Sequence, residues 1–443
     1  MTPRLDRRQF LKSSVAASAA LGGLAALDCR VRDRERPDLR APGYGSLRPA
    51  GDELALPEGF QYRMFGVEGT PMADGVSTPA MHDGMAAFPM ANGHVRLVRN
   101  HEITNHALFG SPETAYDVRA GGGTTTLVVD PATRALISDH VSLNGTITNC
   151  AGGPTPWGTW LSCEEYSYGV TEGFGQDHGY VFEVPVGERE AAGRERARPI
   201  KAMGRFKHEA VAVDPRTGFV YETEDFNRTA GFYRFRPDVP GRLAQGGALE
   251  MLAIRGQPEY DTRRGQRVRE PLSVGWVPIG NPDPADAGQH FTAVFEQGRA
   301  GGGAIFSRLE GCWWGDGAVY FDATNGGEVE LGQIWRYRPD REELDLLFES
   351  PGRDVLASPD NLCWSPRGGL LVCEDPSGVP FMRGITAGGR IFDFARNITN
   401  EREFAGATFS PDGQTLFVNI QGNGRSLPGM TFAIWGPWER GSL

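Results

Sequence analysis

Helical periodicity is largely missing from this sequence: across 443 residues no interior segment sustains it for long, so a helix-built domain is disfavoured. Long apolar runs are missing too. The mild run Val15–Leu27 is too short to cross a bilayer and nothing after it is long or apolar enough, which predicts a soluble mature chain. Positive charge is in deficit, with 45 Lys and Arg against 56 Asp and Glu and a net charge of −11. Such a chain repels phosphate backbones within a Debye length, so nucleic acid is a poor partner and hard cations are better ones. Cysteine is scarce, at six, and no local motif marks a serine or threonine nucleophile.

What the sequence holds in quantity is turn chemistry, 60 Gly and 31 Pro, the composition of many short strands. Its first residues are a targeting segment. Arg7-Arg8-Gln9-Phe10-Leu11-Lys12 precede the Ala/Gly-rich Val15–Leu27, the pattern of a twin-arginine export signal. Residues 1–40 therefore read as signal peptide and start of linker, and 41–443 as a single domain carried by the twin-arginine machinery to the periplasm or outside the cell. Loss of residues 1–40 removes nine basic and five acidic side chains and moves the net charge from −11 to −15. Cys29 follows Asp28, not a small residue, and is not a lipid-attachment cysteine. Cys150, Cys163, Cys312, Cys363 and Cys373 remain, an odd number that leaves at least one thiol unpaired. Export after folding in a reducing cytoplasm makes one of them a candidate metal thiolate and the others packing thiols.

One design recurs: an apolar run, a tight turn with Gly beside Pro, Asp or Asn, and a second apolar run ending on acidic or amide residues. It appears at Pro89–Glu102, Gly152–Glu165, Ala210–Asp225, Cys312–Asn325, Leu362–Asp375 and Ala407–Gln421. The ends, at Glu102, Glu164, Glu222, Asp322, Glu374 and Asn419, stand roughly 45 to 60 residues apart, except for one gap of about 100. This spacing predicts an all-β fold, a six-bladed β-propeller. The long gap is read as an insertion over 236–299 or a degraded blade. Within it, Asp283-Pro284 as cap and first position and Gly298 as stop predict a short helix over 285–297.

The stretch Gly301–Asn325 places Arg308 and Glu310 two apart on a strand, hence on one side, inside an otherwise apolar run. Around it stand Glu102, Glu164, Glu165, Glu209, Glu222, Glu224, Asp225, Glu310, Asp322, Asp360, Glu374 and Asp375. If several of these converge, mutual repulsion requires cations between them, and a multi-metal site resolves it. Local capping at blade edges is the alternative for many of them. Cys150, in Asn149-Cys150-Ala151-Gly152-Gly153, is a soft ligand suited to iron, or a buried inert thiol. His208 and His101 are ligands or water-orienting groups, or ordinary structural histidines. Arg308 is an anion clamp, or an internal partner for Glu310.

Taken together, the twin-arginine signal, Asn100-His101-Glu102, Asn149 to Gly153, Cys163-Glu164-Glu165, Lys207-His208-Glu209-Ala210, Ser307 to Gly311, Pro359-Asp360-Asn361-Leu362 and Cys373-Glu374-Asp375 resemble the PhoX-type alkaline phosphatases. The resemblance spans about residues 80–420. It implies a propeller that hydrolyses small phosphate monoesters with a calcium and iron cluster, Ca2+ and Fe3+, through a metal-bound oxo or hydroxide attacking phosphorus. It implies Cys150 as iron thiolate, and Glu102, Glu164, Glu209, Glu310 and Glu374 as metal ligands, a set widened here to Glu222, Asp322 and Asp360. Arg308 would hold the phosphate, with His208 and Asn149 as further catalytic candidates, in a chain expected to be monomeric. Two other readings remain: a calcium-dependent propeller esterase or lactonase, and a non-catalytic exported calcium-binding propeller.

Overall fold

In the computed structural model, which describes residues 39–187 and 196–443, the recurring hairpins fold as antiparallel strand pairs. The targeting segment and Cys29 fall outside the described residues. Tight turns need a residue with positive φ, and Gly218 at 71°, Gly368 at 90° and Gly413 at 69° supply it.

Among the described residues the strands form five hydrogen-bonded sheets. Four strands from His82–Pro89 to Leu136–Thr146 make one sheet, and Asn149–Pro154, Thr159–Glu164 and Val181–Pro185 make another. A nine-stranded sheet runs from His208–Val213 to Leu309–Gly315; it is two antiparallel meanders joined where Leu272–Pro278 pairs with Glu343–Glu349. Pro359–Trp364 opens the next sheet and Phe404–Phe409 the last. The strands His82–Pro89, Asn149–Pro154, His208–Val213, Leu309–Gly315, Pro359–Trp364 and Phe404–Phe409 each touch the next, and the last touches the first. Sheets arranged radially about such a closed ring of inner strands are a β-propeller.

The ring is closed by sequence-distant chain. Gln61–Phe65 pairs with Met430–Trp435 and so completes the final sheet. Nearby, the Tyr44 hydroxyl donates to the Leu443 carbonyl at 2.7 Å and accepts from the Leu443 N–H at 2.9 Å. The core lies between sheets, where Phe232 stacks on Phe321 at 4.2 Å beside Trp335 and Tyr337. All five described cysteines are free and buried.

The long gap is filled by a fourth meander strand, Gly247–Ile254, by the joining strand Leu272–Pro278, and by one helix. That helix is Ala293–Ala300, not 285–297. Asp283 does not cap it, because its carboxylate is taken by the Tyr180 hydroxyl at 2.8 Å and by Lys201 Nζ at 3.0 Å. Nor does Gly298 stop it: a Cβ there would lie 2.2 Å from Met251 Sδ, so this glycine lets the helix press onto the sheet.

Candidate metal centre in the propeller channel

Every inner strand breaks register with its neighbour near its start, between His82 and Met85, Asn149 and Gly152, His208 and Val211, Leu309 and Cys312, Pro359 and Asn361, and Ala405 and Thr408. An extra residue in a strand bends it and re-aims a side chain. Asp83, Cys150, Glu209, Glu310 and Asp360 occupy these irregular positions and are thereby turned together at one end of the channel. Small residues follow most of them because the inner strands nearly touch. A Cβ on Gly84 would lie 2.5 Å from Ala151 Cα, and one on Gly311 2.8 Å from the Leu362 nitrogen.

A second ring comes from the ends of the neighbouring strands. The N–H groups of Glu102, Glu165, Asp225, Thr324, Asp375 and Gln421 donate to the carbonyls of Met81, Thr148, Lys207, Arg308, Ser358 and Glu403, at 2.9 to 3.2 Å. One bond recurs in each meander. It sets Glu102, Glu165, Asp225 and Asp375 beside the bulge residues, with Lys207, Arg308 and Glu403 at the corners between them.

The result is a crowd of nine carboxylates, Asp83, Glu102, Glu165, Glu209, Asp225, Glu310, Asp360, Asp375 and Glu403, with one thiol and three cations, Lys207, Arg308 and Arg402. Burial and then repulsion by a neighbour raise several of them: Glu310 acts on Glu209, Asp225 on Glu310, Glu403 on Asp360 and Asp375 on Glu403. Glu102 is pushed up to about 8 by burial and by Glu165. Burial, then Glu209 and Glu165, also raise the Cys150 thiol. Lys207 lies 2.8 Å from Glu165 and 3.5 Å from Asp225. Arg308 donates from Nε to Asp225 at 2.9 Å and from Nη2 to Glu310 at 2.5 Å, and Glu310 raises its pKa further. Its side chain is still 36% exposed, and Nη1 carries no bond among the described residues. Gln421 donates to Asp83 at 3.0 Å and Glu102 at 2.7 Å.

Among the described residues no three of these side chains close to ligating distances of a common point; Lys207, Arg308 and Gln421 stand between them. The donor set nonetheless fits bound cations. Carboxylate oxygens suit hard ions, the single thiol suits a softer one, and charge repulsion of this density is relieved by positive charge.

Of the residues singled out in the sequence, Glu102, Cys150, Glu209, Glu310, Asp360 and Arg308 are brought together. Glu164 is not: it faces the sheet interior, accepting from Ile147 N–H at 2.9 Å and Gly179 N–H at 2.8 Å and meeting His178 Nδ1 at 2.6 Å. Glu374 accepts from Ala357 N–H and Arg383 Nε, each at 2.9 Å. Glu222 is buried against His208, its carboxylate 3.3 Å from Nδ1, and neither of its oxygens is hydrogen-bonded. His208 lies on Phe206 with Nε2 3.1 Å from the Gly204 carbonyl oxygen, and burial lowers its pKa to about 3. Asn149 accepts from Thr146 Oγ1 at 2.6 Å and donates to Ser162 Oγ at 2.9 Å. Asp322 accepts from Gly311 N–H at 3.2 Å, with Oδ2 buried and unpartnered. His101 is held by the Ala80 carbonyl and Thr125 hydroxyl. Asp83 and Glu403 were not singled out. The readable signal for Asp83 was an acidic residue followed by glycine, as in Glu310-Gly311.

Carboxylates crowded at the mouth of a propeller call for cations, and a guanidinium with a free nitrogen beside them suits a phosphoryl group; the fold and channel thus define the class of metal-dependent phosphate hydrolases. A family model described as Alkaline phosphatase PhoX matches residues 42–424, and the chain belongs to that family. It is a phosphoric monoester hydrolase of the PhoX kind. Among solved structures, Pseudomonas fluorescens PhoX in complex with vanadate, a transition state analogue, matches with a TM-score of 0.68 at 20% identity, covering 90% of this chain and 98% of that one. A Xanthomonas campestris gluconolactonase (TM-score 0.39, 13% identity, covering 88% of this chain and 99% of that one) and an Agrobacterium tumefaciens regucalcin (0.41, 11%, covering 84% and 96%) share only the general outline. No curated protein sequence matches.

Proposed function

We propose that this chain is an exported enzyme that hydrolyses small phosphate monoesters at the crowded channel end, with Ca2+ and Fe3+ as its resident metals. Supporting this is the Arg308 guanidinium, fixed by Asp225 and Glu310 yet open at Nη1. Asp83, Glu102, Glu165, Glu209, Asp225, Glu310, Asp360, Asp375 and Glu403 would hold the harder ions, and Cys150 is the thiol that would favour iron. Bound cations supply charge neutralisation and Lewis acidity toward phosphoryl oxygens. Arg308 binds the phosphoryl group through Nη1 and orients it; the two carboxylates that grip the guanidinium keep it from turning away. As negative charge gathers on the equatorial oxygens, that donor is already in place. Lys207, held by Glu165 and Asp225, positions those carboxylates.

The same reading takes residues 1–40 as a twin-arginine signal peptide with the start of a linker, and the rest as one monomeric domain in the periplasm or outside the cell. It counts the nine-stranded sheet as two blades, for six in all. Among the described residues no helix is long and apolar enough to cross a membrane. The decisive experiment is elemental analysis of the mature protein together with phenyl phosphate turnover after calcium and iron are restored. Both metals with turnover are expected; a fully loaded protein that leaves the ester intact overturns the proposal.

A further inference from the structure

A cavity of about 610 Å³ opens beside the segments that build the centre, and the chemistry above makes no use of it. Asn227 and Arg228 follow Asp225, Ser307 precedes Arg308, and Asn325 follows Thr324, so the chain that delivers the channel residues also delivers one wall. The other wall comes largely from the loop after Ile254. Its cations are already matched: Arg263 grips Asp261 through two bonds of 2.8 and 2.7 Å, and Arg264 pairs with Glu330. Arg228 differs, because its exposed guanidinium has no ion pair or hydrogen bond among the described residues.

Its backbone is nonetheless fixed. Arg228 sits at φ 67°, an uncommon conformation for a long side chain, and persists there because its N–H donates to Ser307 Oγ at 2.8 Å and its carbonyl accepts from Arg263 Nη1 at 2.9 Å. Beside it, Asn325 donates to Asn227 Oδ1 at 3.0 Å, and its own Oδ1 is buried without a partner. A lone cation beside the exposed Asn227 amide, both lining the cavity, recognises a ligand with an anionic group and a hydroxyl.

We infer that this cavity is a leaving-group subsite, and that the preferred substrates are phosphate monoesters whose alcohol half carries hydroxyls and a second anionic group, the anion seated on Arg228 and a hydroxyl beside the exposed Asn227 amide. This rests on the phosphatase reading for the phosphate end of the substrate. Hydrolysis breaks the ester P–O bond, passes the phosphoryl group to water, and releases the alcohol protonated at the freed oxygen with its second anion intact.

The test compares Arg228→Ala with the unaltered, metal-loaded enzyme on phenyl phosphate, whose leaving group has neither feature, and on 6-phosphogluconate, which has both. The ratio of kcat/KM for 6-phosphogluconate to that for phenyl phosphate is expected to fall at least about tenfold, through KM. Gluconate, which carries the anion and hydroxyls but no phosphate, is titrated calorimetrically against both proteins, and its affinity is expected to fall at least about fivefold in the variant. A ratio within about twofold of the original, or unchanged gluconate affinity, overturns the subsite. Absence of phenyl phosphate turnover in the unaltered enzyme would defeat the phosphatase reading alone, because gluconate binding still decides the subsite.

Discussion

Glu310 and Glu222 are both buried strand carboxylates, but they face different things. Glu310 lies among Arg308, Asp225 and Asp360, whereas Glu222 looks into a sheet interior at His208. Glu310→Gln is therefore expected to lower metal content and cut phosphate ester turnover by about a hundredfold, while Glu222→Gln leaves both intact and shifts stability by less than about 1 kcal/mol. Elemental analysis and kinetics on the two variants check this; equal metal loss in both would contradict the placement. The sequence marked both residues, and also Glu164 in place of its neighbour Glu165, because an acidic strand end is visible while its register is not. A one-residue slip reverses the face, and the bulges that set the register depend on close contact between distant strands.

His178 offers a pH-dependent case. Burial alone would lower its pKa, but Glu164 at 2.6 Å and Asp117 at 3.4 Å raise it to about 9. A folded pKa above the free value of about 6.5 stabilises fully below that pH, and the contribution is lost as pH rises through about 9. Thermal melts should show the native protein losing stability between about pH 6.5 and 9 more steeply than His178→Asn. Parallel curves would show that the pair contributes nothing.

At the scale of elements, the inner strands matter most, because each is bent at its start and crowded by the next. Gly84 has room only for hydrogen, with Ala151 Cα 2.5 Å from a would-be Cβ. Gly84→Ala must push backbone against backbone, at an expected cost of about 2 to 4 kcal/mol in denaturant unfolding; a neutral substitution would refute the close approach. Most hairpins could be read from alternation and turn residues, since both are local. The helix could not, because Asp283 is drawn to Tyr180 and Lys201, and Gly298 serves packing against Met251.

At the scale of the whole molecule, the propeller depends on pairing Gln61–Phe65 with Met430–Trp435. Removing the chain through Phe65 leaves an open edge on the last sheet and should abolish the single cooperative melt of the intact chain. Retention of that melt would show that closure is dispensable. The recurring acidic strand ends announced a propeller, but nothing local announced which early strand closes it, because that pairing joins the two ends of the chain.

The hydrogen bond from strand end to corner carbonyl recurs in all six meanders. Each meander fixes the residues one step beyond its strand ends by its own main-chain bond, so the reactive centre is assembled sheet by sheet. The segment after Ile254, which walls the cavity beside Arg308, is outside that pattern. That segment contributes only cations already paired, whereas Arg228 stands three residues past Asp225 and Ser307 directly before Arg308, so selectivity and catalysis share the same stretches of chain and a change in one strains the other.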